Sequence, residues 1–206
     1  MSEAFVFGYG SLVSPASAAR TLGEPLELVA PVRLLGWRRR WSTVRDNLAS
    51  EKTFAPARGG EPFRFCVGLN IEPDQDQVGV NGALLGLSAA QLERLDVREM
   101  RYDRVEVTEM AEAGPRGEDG EGAAHATIPA GARVFTYTAK PRHHRPKPPA
   151  GAVILAAYVR AVEAAFAALG DDQLELYRAT TDPPPVEVVE GVLVDDRIPA
   201  GNPREW

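Results

Sequence analysis

The densest cluster of chemically useful residue types in the chain is Phe7–Leu12, FGYGSL. Gly8 and Gly10 open backbone conformations closed to other residues. An apolar run, residues 4 to 8, precedes the segment, and Ser14-Pro15, which has the form of a helix start, follows it. A turn between a strand and a helix can aim successive N–H groups at one point, where the positive end of the helix adds to them. Such a turn can hold a carboxylate or a developing oxyanion, or it can be a glycine-rich connection with no ligand. Two other readings fail on spacing. A dinucleotide loop, G-x-G-x-x-G, needs its third glycine where Val13 stands. A nucleophile elbow around Ser11 needs glycines where Tyr9 and Val13 stand.

The second cluster is Leu95–Val107, LDVREMRYDRVEV. Asp96 and Glu99 lie three apart, where a helix is expected to end and a strand to begin. A carboxylate at such a junction can point into a cavity and act as a general acid or base. It can equally be a solvated charge at a helix end, paired with an arginine. If the chain is already extended at Glu99, Arg98 faces away from it and Arg101 shares its face. An arginine beside Glu99 would lower its pKa and oppose a base role, so neither arginine is given one.

Other chemically capable residues point elsewhere. His143 and His144 are adjacent, not spaced i, i+4, and His125 sits in a Gly/Glu/Ala-rich stretch, so no metal site is expected. Cys66, among apolar neighbours, reads as a core thiol. Trp37, Arg39 and Trp41 would share one strand face, which suggests core or rim packing with snorkelling arginines. The basic run with Lys140, Arg142, Arg145 and Lys147 reads as a solvated loop, with contact to an acidic partner or a lid over a pocket as further options.

The elements that must position these residues are legible in outline. Strands are expected at 4 to 8, in two runs within 26 to 44 around Gly36, and as a pair at 63 to 71 and 80 to 87 joined by a turn. Further strands are expected at 102 to 109, 133 to 139 and 186 to 194. Helices are expected from Ser14 to a stop at Gly23, from Ser88 with Gln91 completing a capping box, over 152 to 169, and over 171 to 179. Residues 45 to 62, 111 to 131 and the proline-rich 140 to 151 read as loops. Strands dominate the first half and the longest helix comes late, which argues for an α+β fold, not a repeating βαβ sheet.

Composition sets the frame. At 206 residues, one domain over 1–206 is the expectation. The net charge of −6 argues against a general nucleic-acid binder. A single cysteine excludes an intrachain disulfide and a Cys-rich zinc site. No apolar run approaches the length of a membrane helix, and MSEAFVFGYG lacks the features of a secretory signal, so the cytoplasm is the expected location.

Taken together, the two clusters resemble the γ-glutamylcyclotransferase-like family. That family has a YGSL-type loop after its first strand, matched by Tyr9-Gly10-Ser11-Leu12. It has an LDxxE segment followed by a strand with tyrosine and arginine, matched by Leu95, Asp96 and Glu99, then Tyr102 and Arg104. The FTY strand ending at Tyr137 also resembles a family feature. The chain departs from many relatives in having Met100, not glycine, after the glutamate, and its C-terminal third is longer than in the smallest relatives. The resemblance implies a mixed β-sheet or small barrel flanked by a few helices. It implies intramolecular aminolysis of a γ-glutamyl amide, giving 5-oxoproline and a free amine or amino acid, without a cofactor. Glu99 would be the acid/base. The amides of Gly10, Ser11 and Leu12 would bind a carboxylate or oxyanion. Tyr9 would shape the pocket and could donate its hydroxyl, and Tyr102 and Tyr137 would line it. The partner expected is a small γ-glutamyl molecule, with no nucleic acid and no membrane. Two rivals share the fold: a carboxylate-binding or regulatory module without turnover, and an enzyme that removes a γ-glutamyl cap from an unusual amine.

Overall fold

The computed structural model describes residues 4–23, 26–75, 79–113, 128 and 130–204. Strand β1 (Ala4–Gly8) is buried along its whole length, which is why its sequence is a continuous apolar run and not an alternation. Phe5 and Phe7 pack on one side of it, Ala4 and Val6 on the other. It pairs antiparallel with β6 (Val80–Leu87) and parallel with β9 (Val134–Ala139). With β7 (Tyr102–Glu106), β2 (Glu27–Leu34) and β8 (Ala111–Ala113), these form a six-stranded sheet in the order β7-β9-β1-β6-β2-β8.

A second sheet, β11-β10-β5-β3, is built from β3 (Trp37–Asp46), β5 (Phe65–Pro73), β10 (Ala152–Leu155) and β11 (Val188–Val189). β4 (Lys52–Pro56) and β12 (Gly191–Asp196) make a third ladder. Among the described residues, four α-helices accompany them: α1 (Pro15–Leu22), α2 (Ala89–Arg98), α3 (Ala156–Ala167) and α4 (Asp171–Ala179). The architecture is α+β. The three strand orders do not close a small barrel among the described residues.

The helix signals act as expected. Ser14 caps α1 by accepting from the Ser17 N–H at 3.3 Å, and Gly23 stops it in the left-handed region at φ 81°. Ser88 and Gln91 make both bonds of a capping box on α2. Leu92 and Leu95 of α2 then pack with Leu12 and with Ala18 and Leu22 of α1 against Val6, Leu85 and Leu87. Each such large aliphatic contributes about 1.5–3 kcal/mol on burial.

Five expectations about strands are corrected, all through non-local pairing. The 45 to 62 loop contains β4, which forms because β12 reaches it from the far end of the chain. β5 and β6 do not pair as a hairpin; β5 joins β3 and β10, while β6 joins β1 and β2. Residues 152 to 155 are strand, not helix, because β10 lies parallel to β5. The last strand divides into β11 and β12, which pair with different partners. Residues 111 to 113 of the expected 111 to 131 loop form β8 against β2; most of the rest lies outside the described residues, as does His125. No helix among the described residues is long and apolar enough to cross a membrane.

Arg39 is fully buried rather than snorkelling. Its guanidinium lies beside the stacked rings of Phe166 and Tyr177, 5.0 and 4.8 Å from their centroids, and donates to Thr181 Oγ1 at 3.1 Å and to Asn81. It thereby joins β3 and β6 to the α3–α4 pair. Burial pulls its pKa down to about 10, so it stays charged at neutral pH. Trp37 and Trp41 flank it in the core.

Candidate active site

The glycines of the first cluster act through space, not through flexibility. A Cβ on Gly8 would stand 2.8 Å from the Leu12 carbonyl carbon, so only glycine lets the chain fold back on itself there. A Cβ on Gly82 would stand 2.2 Å from the Gly8 carbonyl oxygen. This tight reversal leads into a single 3-10 turn, Ser11–Val13, closed by the Val13 N–H on the Gly10 carbonyl at 3.0 Å. The N–H groups of Gly10, Ser11 and Leu12 donate to no acceptor among the described residues. They are the unsatisfied donors that a helical start always leaves.

Glu99 ends α2. It takes φ −84° and ψ 33°, and its N–H still bonds to the Leu95 carbonyl at 2.9 Å. The chain is therefore helical, not extended, up to Arg98, and the expected facing of the two arginines is reversed. Arg98 Nε meets Glu99 Oε1 at 3.1 Å, whereas Arg101 makes a two-pronged pair with Glu51 at 3.0 and 2.7 Å. The Arg98 side chain, only 2% exposed, also donates to the Ser17 carbonyl (2.7 Å), Ser17 Oγ (3.0 Å), Thr21 Oγ1 (3.0 Å) and Ser11 Oγ (3.3 Å). One buried guanidinium thus ties the carboxylate to α1 and to the glycine turn.

A small cavity, partly open to solvent, results. The residues to which the resemblance gave a site role line it: Tyr9, Gly10, Ser11, Leu12, Glu99, Tyr102 and Tyr137. Burial raises the Glu99 pKa above the ordinary glutamate value, with Arg98 and Arg101 opposing it. The Glu99 side chain keeps 15% exposure, enough to meet a ligand.

The tyrosines divide by where their protons go. Tyr9 donates to the Tyr137 carbonyl (2.8 Å), Tyr102 to the Leu69 carbonyl (2.9 Å) and Tyr137 to Asp96 Oδ1 (2.7 Å). The expected Tyr9 donation to a ligand is therefore replaced by a structural bond. Asp96, considered beside Glu99, is the acceptor for Tyr137 and a partner of Arg104 at 3.3 Å. The fourth phenol, Tyr158 of α3, was not legible as a site residue. Its hydroxyl lies 3.2 Å from where a Gly10 Cβ would be, beside the Leu69 N–H, and donates to no acceptor among the described residues. Burial pushes its pKa well up, as it does for the other three, so all four stay protonated. Its sequence signal is faint: a tyrosine on the inward face of an Ala-rich helix, in line with Val162 and Phe166.

The arrangement combines a buried carboxylate, unsatisfied backbone donors and one uncommitted phenol around a single cavity. No protein-family model matches the chain, and no curated protein matches it. Solved structures do. An uncharacterized protein from Homo sapiens matches with a TM-score of 0.54 at 13% identity, over 87% of this chain and 88% of the other. A gamma-glutamyl cyclotransferase matches with a TM-score of 0.51 at 13% identity, over 90% of this chain and 93% of the other. This chain shares its fold with a gamma-glutamyl cyclotransferase. An Arabidopsis thaliana protein aligns at 28% identity over 68% of this chain and 66% of its own, but its TM-score of 0.36 adds nothing to the fold comparison.

The remaining sequence candidates have structural places. Cys66 is buried, and burial pushes its thiol pKa up. His144 Nε2 lies 2.8 Å from Glu72 Oε1. Among the described residues, no group of three or more His, Cys, Asp or Glu is placed to hold a metal ion.

Proposed function

We propose that the chain is a γ-glutamyl cyclotransferase with Glu99 as its acid/base. The observation that supports this reading is that Glu99 lines the same cavity as Gly10, Ser11 and Leu12, whose N–H groups donate to no acceptor among the described residues. The substrate's γ-glutamyl half would enter with its carboxylate or γ-carbonyl oxygen toward these amides. Holding the α-nitrogen against its own γ-carbonyl carbon makes the attack intramolecular, a large proximity advantage.

Glu99 would take a proton from the α-ammonium. The freed amine attacks the γ-carbonyl carbon, forming the ring C–N bond and a tetrahedral oxyanion. The glycine-turn amides and the Tyr158 hydroxyl would stabilise that oxyanion. Collapse breaks the bond to the leaving nitrogen, which receives the proton held by Glu99, and the ring nitrogen then gives its second proton to the restored carboxylate, leaving a neutral lactam. A carboxylate raised by burial is closer in pKa to its task than an exposed one. Arg98 fixes its orientation.

Incubation with a panel of γ-glutamyl amides, including glutathione and γ-glutamyl amines, is expected to release 5-oxoproline, and Glu99→Gln is expected to abolish it. Absence of product from every member, or full activity in Glu99→Gln, overturns the proposal. Saturable binding of a small carboxylate without product would instead support the non-catalytic module.

A further inference from the structure

Three cations are buried among the described residues: Arg39, Lys52 and Arg98, at 0%, 7% and 5% exposure. Two of them stand beside acids. Lys52 Nζ lies 3.7 Å from Asp196 Oδ2, and Arg98 Nε lies 3.1 Å from Glu99 Oε1. Arg39 has no carboxylate partner among the described residues. Its donors go to neutral oxygens, among them Thr181 Oγ1 at 3.1 Å and the Asn81 carbonyl, and its buried Nε has no hydrogen-bond partner among the described residues. The titratable groups that act on it are three phenols, Tyr177, Tyr9 and Tyr158, all protonated at neutral pH. A buried charge without a counter-charge is costly, and an apolar side chain of similar volume would fill the slot beside Phe166 at less cost. Packing alone does not call for a charge there.

The charge lies behind the cavity wall and does not line the cavity itself. The Asn81 carbonyl that accepts from Arg39 belongs to the Asn81–Gly82 peptide, and Gly82 is the residue pressed against the Gly8 carbonyl where the glycine turn begins. On β3, Trp41 stands two residues from Arg39 on the same face and meets the Tyr158 ring edge-on at 6.1 Å. Arg39 meets Phe166, about two turns further along α3. The guanidinium thus backs both the glycine turn and Tyr158. Being fully buried, it is weakly screened by solvent.

Within the cavity, the charges of Glu99 and Arg98 offset each other. The proposed reaction moves negative charge from Glu99, which takes the proton, to an oxyanion over the glycine turn. A fixed cation behind that turn stabilises the displaced charge and is in place before the substrate arrives. We propose that Arg39, without touching the substrate, is the uncompensated charge that stabilises anions at the glycine turn, the oxyanion in reaction and a carboxylate in binding. It is a positioning residue, since it reaches the anion through the turn and Tyr158 and not by contact. For the oxyanion the proposal rests on the cyclotransferase reading above; carboxylate binding requires no turnover.

Two substitutions separate charge from packing. Arg39→Met keeps an unbranched side chain and removes the charge; Arg39→Lys keeps the charge and removes the planar fork. With glutathione, or the panel member turned over fastest, Arg39→Met should lower kcat/KM about tenfold. That is the order of one charge acting over about 10 Å at an effective dielectric constant of about 20. Burial lowers a lysine pKa by up to about 3–5 units, so Arg39→Lys carries its charge in acid and sheds it as pH rises. Its kcat/KM should be close to wild type at the acid end of the assay range and fall toward the Arg39→Met level at the alkaline end. A ratio that stays at the wild-type level, beside a weakened Arg39→Met, supports the charge as well. The fork is missing at every pH, so a purely structural role predicts a deficit indifferent to pH. Wild-type kcat/KM in Arg39→Met, or a deficit in Arg39→Lys equal to that of Arg39→Met at every pH, overturns the proposal and leaves the cyclotransferase reading intact. If Arg39→Met does not fold, Arg39→Lys decides alone: a ratio to wild type that falls as pH rises supports the proposal, and a flat ratio overturns it. Calorimetry with 5-oxoproline reads carboxylate binding without chemistry. No product from any member of the panel overturns the cyclotransferase reading; about tenfold weaker 5-oxoproline binding in Arg39→Met then still supports the charge. Unchanged or absent binding in that case overturns both.

Discussion

Replacing Arg98 with glutamine tests the idea that one buried guanidinium assembles the site. The substitution removes the partner of Glu99 and leaves the acceptors on Ser11, Ser17 and Thr21 without their donor. Breaking a buried ion pair from one side costs about 3–5 kcal/mol, because the remaining charge stays buried and unpaired. For a chain of this length about 2–4 °C of Tm accompanies each kcal/mol, so a loss of roughly 6–20 °C is expected by calorimetry. The pH dependence distinguishes this mechanism from a general packing defect. Burial already raises the Glu99 pKa in the folded chain, and loss of Arg98 raises it further. A carboxyl group with a raised folded pKa binds its proton more readily when folded. Its stabilising effect is present at low pH and disappears as pH rises through the folded value. The Tm gap between wild type and Arg98→Gln should therefore be smallest near about pH 4 and widest near about pH 8. The acid limb of kcat/KM should move to higher pH in the variant, for the same reason. A Tm loss below about 2 °C, or a gap that is as wide in acid as in base, would refute the argument, since neither fits a charge left unpaired in a buried site.

Two further predictions concern groups that a stability argument alone would not separate. Tyr158→Phe should lower kcat/KM about tenfold, the worth of one hydrogen bond to a charged group; wild-type kcat/KM would remove Tyr158 from the site. Gly82→Ala should cost about 1–3 kcal/mol or more in urea unfolding, since backbone must move away from the new Cβ; a wild-type midpoint would show that the β1–β6 approach is looser than described.

Local chemistry was readable wherever a residue acts on its own neighbours. Ser14, Gly23, Ser88 and Gln91 set helix ends through bonds spanning three or four residues, and all four do so here. Gly8 is needed by a contact only four residues away, at Leu12. The same locality failed at Glu99. Its expected extended backbone depended on where α2 stops, and one more helical turn exchanged the places of Arg98 and Arg101. The strand at 52 to 56 and the strand at 152 to 155 were missed because each pairs with a segment distant in sequence, β12 and β5 respectively.

By itself the sequence determined the glycine turn, the capped helices and a carboxylate near the end of α2, because these follow from short-range sterics and hydrogen bonding; the tyrosines beside them came from the family resemblance. Only the tertiary structure decided that Arg98, not Arg101, pairs with Glu99, that Tyr158 and not Tyr9 keeps an uncommitted hydroxyl, and that the basic loop starts at the Glu99 end, with Lys140 Nζ on the Met100 carbonyl. The first depends on where α2 stops and on its contact with α1; the other two depend on parallel pairing of β1 with β9 and on α3 packing over the glycine turn, contacts between segments more than a hundred residues apart whose register no local pattern encodes.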